Sequence, residues 1–141
     1  MTSANEPTCV FRPNVETVKQ VYDAFRRRDL AAAIALCAPD VVIDQSGEVP
    51  WGGHYEGHEG ARTFHARLAR LIDSTLAPES FIDAGDSVVA IGRTRGTVRL
   101  DGARYDVPIA HVWTLRGGLV VRAQYFIDNP TMLVALTPSS A

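Results

Sequence analysis

Hydrophobic and polar positions alternate most regularly in the second half of the chain. Two tight turns, Leu100–Gly102 and Arg116–Gly118, separate three alternating runs, which cover residues 87–99, 103–115 and 119–128. Asp-Gly and Gly-Gly pairs between β-branched and aromatic residues are typical of hairpin turns. The pattern therefore predicts an antiparallel meander of three long strands.

Two glycines, Gly92 and Gly96, interrupt the first of these strands. A glycine inside a strand marks a bend or the close approach of another backbone segment. Strands of this length also exceed the usual length, and long strands twist rather than stay flat. We therefore expect a curved sheet whose concave face is filled by the rest of the chain.

The first half of the chain shows a helical period instead. Hydrophobic residues three and four positions apart predict amphipathic helices over residues 14–28 and 58–72. A shorter helix is predicted over residues 29–37, because Asp29 can cap it and Pro39 stops it.

The remaining segments complete an α+β domain with helices on one face of a curved sheet. They comprise two predicted short strands over residues 41–44 and 76–84, a glycine-rich loop over residues 45–55, and a last helix over residues 131–136. We expect a single domain over residues 13–137, preceded by a flexible arm over residues 1–12.

Composition and charge are those of an ordinary globular protein, with 141 residues, 46% hydrophobic and 21% charged. The formal net charge of −2 disfavours a general nucleic-acid binder and a polybasic membrane binder. We see no signal-type or membrane-spanning segment, and we interpret Cys9 and Cys37 as reduced thiols, so we expect a cytoplasmic protein. The only basic run, Arg26–Arg28, lies at a predicted helix end, where it complements the helix dipole.

Three segments resemble the SnoaL-like branch of the nuclear transport factor two-like superfamily: VYDAFRRRDLAAAIALCAPDVVID (21–44), PWGGHYEGHEGARTF (50–64) and HVWTLRGGLVV (111–121). The resemblance implies a cone-shaped barrel, in which about three helices pack on the concave face of a long curved antiparallel sheet. It also implies a pocket for a small molecule and a homodimer. The superfamily includes ketosteroid isomerases, polyketide cyclases and limonene epoxide hydrolases, so the resemblance does not by itself specify the chemistry.

The isomerase branch implies a carboxylate base, together with a Tyr and a protonated Asp that hold a developing oxyanion. In this sequence the base, Tyr and Asp positions fall on Gln45, Val21 and Ala110, none of which has the required chemistry. Three suitable side chains lie one position away but in different directions, so no single register shift recovers them: Asp44, Tyr22 and His111.

The epoxide hydrolase branch implies an Arg-x-Asp pair on one strand and a second Asp on the last strand. The strand here offers Arg93, Arg95 and Thr97 without the Asp, and Gln124 occupies the last-strand position. The hydrolase chemistry therefore fits poorly as well.

The polyketide cyclase branch implies a His on the penultimate long strand and an Asp on the last one. His111 and Asp128 match in type and order, if a bulge near Ile127 adjusts the spacing, and they are our candidate catalytic residues. Two alternatives stay open. His111 would lie on the convex face at a dimer interface, and Asp128 would cap the last helix.

The candidate ligand contacts follow from the register implied by the isomerase comparison. In that register Ala110, Val112 and Thr114 line the concave face, whereas Ile109, His111 and Trp113 face outward into a dimer interface. Trp51, in the glycine-rich loop, is also a candidate lid over the pocket. The full set of expected ligand contacts is Tyr22, Gln45, Trp51, Phe64, Ala110, Gln124 and Tyr125.

A metal site is not expected. The segment His54–Glu59 places two His and two Glu close together, but its order, H-Y-E-G-H-E, lacks the H-E-x-x-H arrangement. The sequence also has no glycine-rich phosphate loop and no G-x-S-x-G motif, so we expect no cofactor.

These observations favour a pocket protein for a small apolar or cyclic molecule, with general acid/base chemistry such as isomerisation, aldol cyclisation or hydration. Two alternatives remain: a ligand-binding module without catalysis, and a dimeric adaptor whose concave face is filled by its own side chains. The volume left on the concave face separates the adaptor from the other two.

Overall fold

The computed structural model describes residues 13–138, which form a curved six-stranded sheet and four helices. The helices are α1 (Pro13–Arg26), α2 (Leu30–Ala35), α3 (Gly57–Leu71) and α4 (Asn129–Leu136). The strands are β1 (Cys37–Gln45), β2 (Gly53–Glu56), β3 (Ile72–Ala84), β4 (Ser87–Val98), β5 (Arg104–Arg116) and β6 (Leu119–Ile127). The arm predicted for residues 1–12, with Cys9 in it, lies outside the described residues.

The strands lie in the order β2-β1-β6-β5-β4-β3. Neighbouring strands are antiparallel except β1 and β6, which are parallel, so the sheet is mixed. The predicted meander is confirmed as β4, β5 and β6, whose pairing aligns Ala90 with His111 and His111 with Tyr125. The α+β class is also confirmed, but β2 and β3 leave two edges, so the sheet is an open curved surface rather than a closed barrel.

Three elements differ from the expected boundaries. Strand β1 begins at Cys37 and β3 at Ile72, each about four residues earlier than the sequence pattern indicates. Strand β2 lies inside the segment predicted to be a loop and pairs with the end of β1, with Tyr55 opposite Ile43. Four residues beginning with a glycine carry too little alternation to be recognised as a strand.

The two glycines of β4 permit the close approach of β3 that the sequence indicated. A Cβ atom added at Gly92 would lie 2.2 Å from the carbonyl oxygen of Ala77, and one at Gly96 would lie 1.9 Å from that of Asp73. The register between β3 and β4 shifts between Pro78 and Ser80, directly after the pair formed by Pro78 and Gly92. The register shift, together with the lack of a side chain at each of the two glycines, helps the sheet to curve.

The alternation of β5 is opposite to the one we expected. Ile109, His111 and Trp113 are buried on the concave face, with 4%, 4% and 1% of their surface exposed. Ala110, Val112 and Thr114 are only partly buried and lie on the convex face. A shift of one residue in a strand moves every side chain to the other face. The assignment of His111 to an outer interface was therefore wrong, and so was that of Ala110 to the pocket.

Helices α1 and α3 cover the concave face. Helix α1 packs on β3 and β4, and α3 packs on β1, β2 and β3. Helix α1 buries Val18, Val21 and Tyr22, and α3 buries Phe64. Among residues 13–138, no helix is long and apolar enough to cross a membrane.

Candidate functional site

Three buried side chains join α1 to the middle of β5 through hydrogen bonds. The indole Nε1–H of Trp113 donates to the hydroxyl oxygen of Tyr22 over 3.0 Å. That hydroxyl lies 2.6 Å from Nδ1 of His111. His111 and Trp113 lie two residues apart on one strand and so point to the same face, where Tyr22 meets both. Tyr22, His111 and Trp113 thus form one hydrogen-bonded chain, which we call the Tyr22 relay.

The donors of the relay determine the tautomer of His111. Because an indole N–H can only donate, Tyr22 accepts from Trp113 and has its own proton left for Nδ1 of His111. Burial lowers the pKa of His111 to about 3, so its imidazole is neutral and carries its proton on Nε2. Burial also raises the pKa of Tyr22, which keeps its hydroxyl protonated. Nε2 of His111 has no hydrogen-bond partner within the described chain.

His111 lines a cavity of about 60 Å³, which we call the inner cavity. The lining residues that carry polar side-chain groups are Gln45, Trp51, His65, Ser74, Thr94, His111 and Tyr125, and the rest of the lining is apolar. A water molecule needs roughly 15 Å³ of such space, so the inner cavity has room for about four waters. The concave face is therefore not completely filled by its own side chains.

Gln45 and Trp51 form a fixed part of the lining. Nε1–H of Trp51 donates to Oε1 of Gln45 over 3.1 Å, which leaves the amide N–H groups of Gln45 free of that bond. Trp51 is 1% exposed, and its backbone carbonyl accepts from the hydroxyl of Tyr55. The lid role proposed for Trp51 is therefore wrong, because the indole is packed into the core.

His65, on α3, is a titratable pocket residue that the sequence analysis missed, as it also missed the polar lining residues Ser74 and Thr94. The ring centroid of His65 lies 5.2 Å from that of Phe25 and 5.1 Å from that of Phe64. Neither ring nitrogen has a hydrogen-bond partner between residues 13 and 138, and burial lowers the pKa of His65 to about 4. The signal was present, since His65 falls at i+4 from Ala61 and i−3 from Leu68 in the apolar stripe of α3.

A larger space of about 390 Å³, which we call the outer chamber, adjoins the inner cavity. The two spaces share six lining residues: Phe25, His65, Leu68, Ile72, Ser74 and Leu76. Because the same side chains line both, the outer chamber and the inner cavity lie next to each other. Four arginines also line the outer chamber, namely Arg26, Arg28, Arg62 and Arg99.

Six of the nine expected site residues are brought together. Gln45, Trp51, Phe64, His111 and Tyr125 line the inner cavity, and Tyr22 contacts it through His111. The other three lie elsewhere. Ala110 and Gln124 lie on the convex face, where Ala110 pairs with Phe126 and Gln124 with Val112.

Asp128 is exposed and caps α4. Its carboxylate accepts from the backbone N–H of Thr131 over 3.2 Å. The structure supports the alternative interpretation of Asp128 as a helix cap, and Asp128 does not line the inner cavity.

The histidines outside the pocket have protein partners. His54 lies 2.6 Å from Asp44 and 3.0 Å from Glu56, and both carboxylates raise its pKa. His58 lies 3.0 Å from the carbonyl oxygen of Cys37. Over the described part of the chain, no group of three or more His, Cys, Asp or Glu side chains is arranged to hold a metal ion.

Comparison with known proteins identifies the family. The sequence model described as the SnoaL-like domain matches residues 18–123. The chain belongs to the SnoaL-like domain family. A comparison of this SnoaL-like domain with curated proteins found no significant match.

Solved structures similar to this SnoaL-like domain cover almost all of it. An NTF2-like protein of unknown function from Burkholderia pseudomallei is 30% identical, with a TM-score of 0.85 over 91% of this chain and 100% of that one. TerC, co-crystallised with polyporic acid, is 29% identical, with a TM-score of 0.81 over 88% of this chain and 98% of that one. A protein from Catenulispora acidiphila with the ketosteroid isomerase-like fold, in complex with trimethylamine, is 21% identical, with a TM-score of 0.76 over 87% and 98%, and shows the shared fold alone.

Proposed function

We propose that this SnoaL-like domain binds a small, largely apolar cyclic molecule and catalyses a cofactor-free proton transfer on it. The observation that supports the proposal is the Tyr22 relay, which presents a neutral imidazole N–H in an apolar cavity. His111 lines the inner cavity with a nitrogen that no described residue bonds, so a ligand oxygen in the cavity would satisfy it.

His111 would act as the hydrogen-bond donor to a carbonyl oxygen. A neutral imidazole N–H can stabilise the negative charge that develops on that oxygen when a neighbouring C–H bond is broken. The relay holds the imidazole in the donor tautomer before the ligand arrives, so no reorganisation is needed at the moment of reaction. The free amide N–H groups of Gln45 would supply a second donor.

His65 would act as the base. It is neutral, it lines the same cavity as His111, and it has a nitrogen lone pair that no described residue uses. In the proposed step the C–H bond breaks, its proton moves to His65, and the electron pair becomes an enolate whose oxygen is held by His111. The negative enolate would stabilise the imidazolium beside it. Return of the proton from His65 to another carbon gives isomerisation. Attack of the enolate carbon on a second carbonyl forms a C–C bond, and return of the proton from His65 to the resulting alkoxide completes an aldol cyclisation.

The size of the two spaces supports a ligand larger than the inner cavity. Room for about four waters does not hold a complete ring system. A cyclic ligand would place one edge in the inner cavity and the remainder in the outer chamber. TerC, which is 29% identical, was crystallised with polyporic acid, so a similar domain accepts a small organic molecule. The open space also disfavours the adaptor whose concave face is completely filled.

Hydrogen exchange tests the chemistry without knowledge of the natural substrate. We would incubate the protein with 2-tetralone, a bicyclic ketone, in D₂O and follow the loss of its α-hydrogens by NMR. The expected result is accelerated exchange that falls by about 10²-fold or more in His65→Gln and in His111→Gln. His54→Gln, which removes an exposed histidine outside the pocket, is the control and should leave the rate unchanged. Binding of 2-tetralone without exchange would support the non-catalytic ligand-binding module instead.

We further propose that the protein is a cytoplasmic homodimer. The free thiol of Cys37 agrees with a reducing compartment. The convex face of the sheet carries an apolar row, in which Ile91 pairs with Ala110 and Ala110 with Phe126. Ile91 and Phe126 are 40% and 53% exposed in the single chain, which favours a second copy covering them.

A further inference from the structure

We propose that the outer chamber is an anion-binding subsite and that the ligand carries a carboxylate, or an equally charged acidic oxygen, on the part that stays outside the inner cavity. The inference rests on the proposed small-molecule pocket and specifies the chemical class of its ligand. It starts from the four arginines that line the chamber, Arg26, Arg28, Arg62 and Arg99. A chain with a net charge of −2 has no general excess of positive charge that would place them there.

The arginines reach the chamber from three separate parts of the fold. Arg26 and Arg28 lie at the end of α1, Arg62 is in the second turn of α3, and Arg99 follows β4. Helix-dipole complementarity accounts for Arg26 at the end of α1. It does not account for Arg62, which lies in the second turn of α3, far from the end of that helix. What the four arginines have in common is that each lines the outer chamber.

The acidic residues near the chamber use only some of the N–H donors of these arginines. Arg26, Arg28 and Arg62 pair with Asp23, Asp73 and Glu59 respectively. Those carboxylates are 43%, 48% and 89% exposed, so the pairs lie at the surface and are weak. A guanidinium has five N–H donors, and one carboxylate contact leaves several of them for a ligand.

Arg99 is the least compensated of the four. Its Nε donates to the backbone carbonyl of Ala69 over 2.5 Å, and it has no ion pair within residues 13–138. Of the residues that the structure describes, Asp29 is the one acidic residue that lines the chamber, and each of its oxygens already has a partner. One accepts from the N–H of Ala32 and the other from Arg27. The chamber therefore presents positive charge above an apolar floor.

The backbone of Arg28 gives an independent observation. Arg28 has φ of 58°, and it is the only described residue other than glycine with a positive φ. It lies two residues after the end of α1, at a position where glycine is usual because it adopts this conformation without strain. An arginine at such a position, with its side chain lining the chamber, points to a use for the guanidinium. Replacement of Arg28 by glycine would remove the guanidinium from the chamber and also relieve the backbone strain. The contributions of Arg28 to binding and to stability can therefore be measured separately.

The experiment compares two ligands that share a ring and differ in charge, 1-naphthylacetate and 1-naphthylacetamide, by titration calorimetry at low salt. We expect the carboxylate to bind about tenfold more tightly, and 0.5 M NaCl to narrow that ratio. Arg99→Gln and Arg28→Gly should each lower the affinity for the carboxylate about three- to tenfold and leave that for the amide unchanged. Arg28→Gly should do so without lowering the melting temperature, because glycine relieves the backbone strain.

Arg70→Gln is the matched control, since Arg70 is an exposed arginine on α3 that lines neither space. It should leave the ratio between the two ligands unchanged. Equal affinity of the wild-type protein for carboxylate and amide would overturn the anion subsite and leave the pocket intact. Absence of binding by both ligands would overturn the subsite together with the proposed pocket. An equal loss of carboxylate affinity in Arg70→Gln would reduce the effect to general surface charge and would also overturn the subsite.

Discussion

The hydroxyl of Tyr22 lies 2.6 Å from Nδ1 of His111, and this bond joins the covering helix α1 to the centre of β5. Tyr22 also accepts from Trp113, so one hydroxyl satisfies two buried nitrogens on the same strand. The position and the tautomer of His111 therefore both depend on one oxygen atom, whereas burial keeps its imidazole neutral. That dependence makes Tyr22 a positioning residue for the proposed chemistry.

Replacement of Tyr22 by Phe removes only this oxygen. We expect the free energy of unfolding to fall by about 1–3 kcal/mol, because Nε1–H of Trp113 and Nδ1 of His111 lose their partner. We also expect His111 to change from one tautomer to a mixture of two, which ¹⁵N chemical shifts of the imidazole report. Proton exchange in 2-tetralone should slow with it.

Tyr55→Phe is the control for this substitution. Tyr55 is also buried, and its hydroxyl donates to the carbonyl of Trp51 and accepts from Arg67. The control should lose comparable stability and leave the ¹⁵N shifts of His111 as they are. Unchanged shifts in Tyr22→Phe itself would show that the relay does not determine the tautomer.

Stability should depend on pH through the two buried histidines, and the contribution of His65 adds to that of His111. The pKa of His65 is about 4 in the folded protein and near 6.5 when the chain is unfolded, so the unfolded state binds the proton first as the pH falls. The stabilising contribution is complete above pH 6.5 and is lost as the pH falls from there towards 4. Between pH 7.5 and 5 we expect His65 to account for a loss of about 2 kcal/mol. Urea unfolding across this range measures it.

Two variants identify the source of this slope. His65→Leu should flatten it by about that amount, because the titrating group is gone. His54 has a pKa that Asp44 and Glu56 raise, so it favours the folded state at low pH and His54→Gln should not flatten the slope. An unchanged slope in His65→Leu would mean that the imidazole is not shielded from water.

The strands and helices that the sequence predicted correctly are those whose hydrophobic pattern repeats over many residues. Helices α1 and α3 and strands β4 to β6 each carry a hydrophobic pattern over nine or more residues and were found close to their expected ends. The position of Asp29 before α2 was also correct, since its side chain accepts from the N–H of Ala32. Local patterns of this kind report backbone geometry directly.

The orientation of β5 was assigned wrongly although its alternation pointed the right way. Its odd residues are apolar apart from His111, whereas the even ones include Arg104, Asp106 and Arg116, so the alternation by itself favours the odd set facing the helices. The comparison with isomerases placed small residues such as Ala110 inward, whereas the structure buries His111 and Trp113. The deciding contact, Tyr22 with His111, joins residues 89 positions apart. A pairing over that distance is a property of the packed fold.

The close approach of β3 to β4 should make Gly96 intolerant of a side chain. A Cβ atom there would lie 1.9 Å from the carbonyl oxygen of Asp73, which is backbone and cannot turn aside. We expect Gly96→Ala to destabilise the protein by about 1–3 kcal/mol in urea unfolding, since the edge strand has to move. Gly47→Ala is the control, because no atom lies within 4 Å of the added Cβ, and it should be nearly neutral. Equal stability of the two variants would contradict the registered pairing of β3 and β4.

The apolar row on the convex face should hold two copies of the chain together. An aspartate placed at Phe126 would put a charge in the middle of the proposed interface, next to Ala110 and Ile91. We expect the wild-type protein to sediment as a dimer of about twice 15.3 kDa and Phe126→Asp to sediment as a monomer. Leu100→Asp is the matched control, because Leu100 is 77% exposed in the turn after β4, away from the row, and this variant should remain dimeric.

Circular dichroism of Phe126→Asp distinguishes dissociation from unfolding, since Phe126 is 53% exposed and its loss leaves the core of the single chain intact. A wild-type monomer at micromolar concentration would instead leave Ile91 and Phe126 as an exposed patch and exclude the dimer.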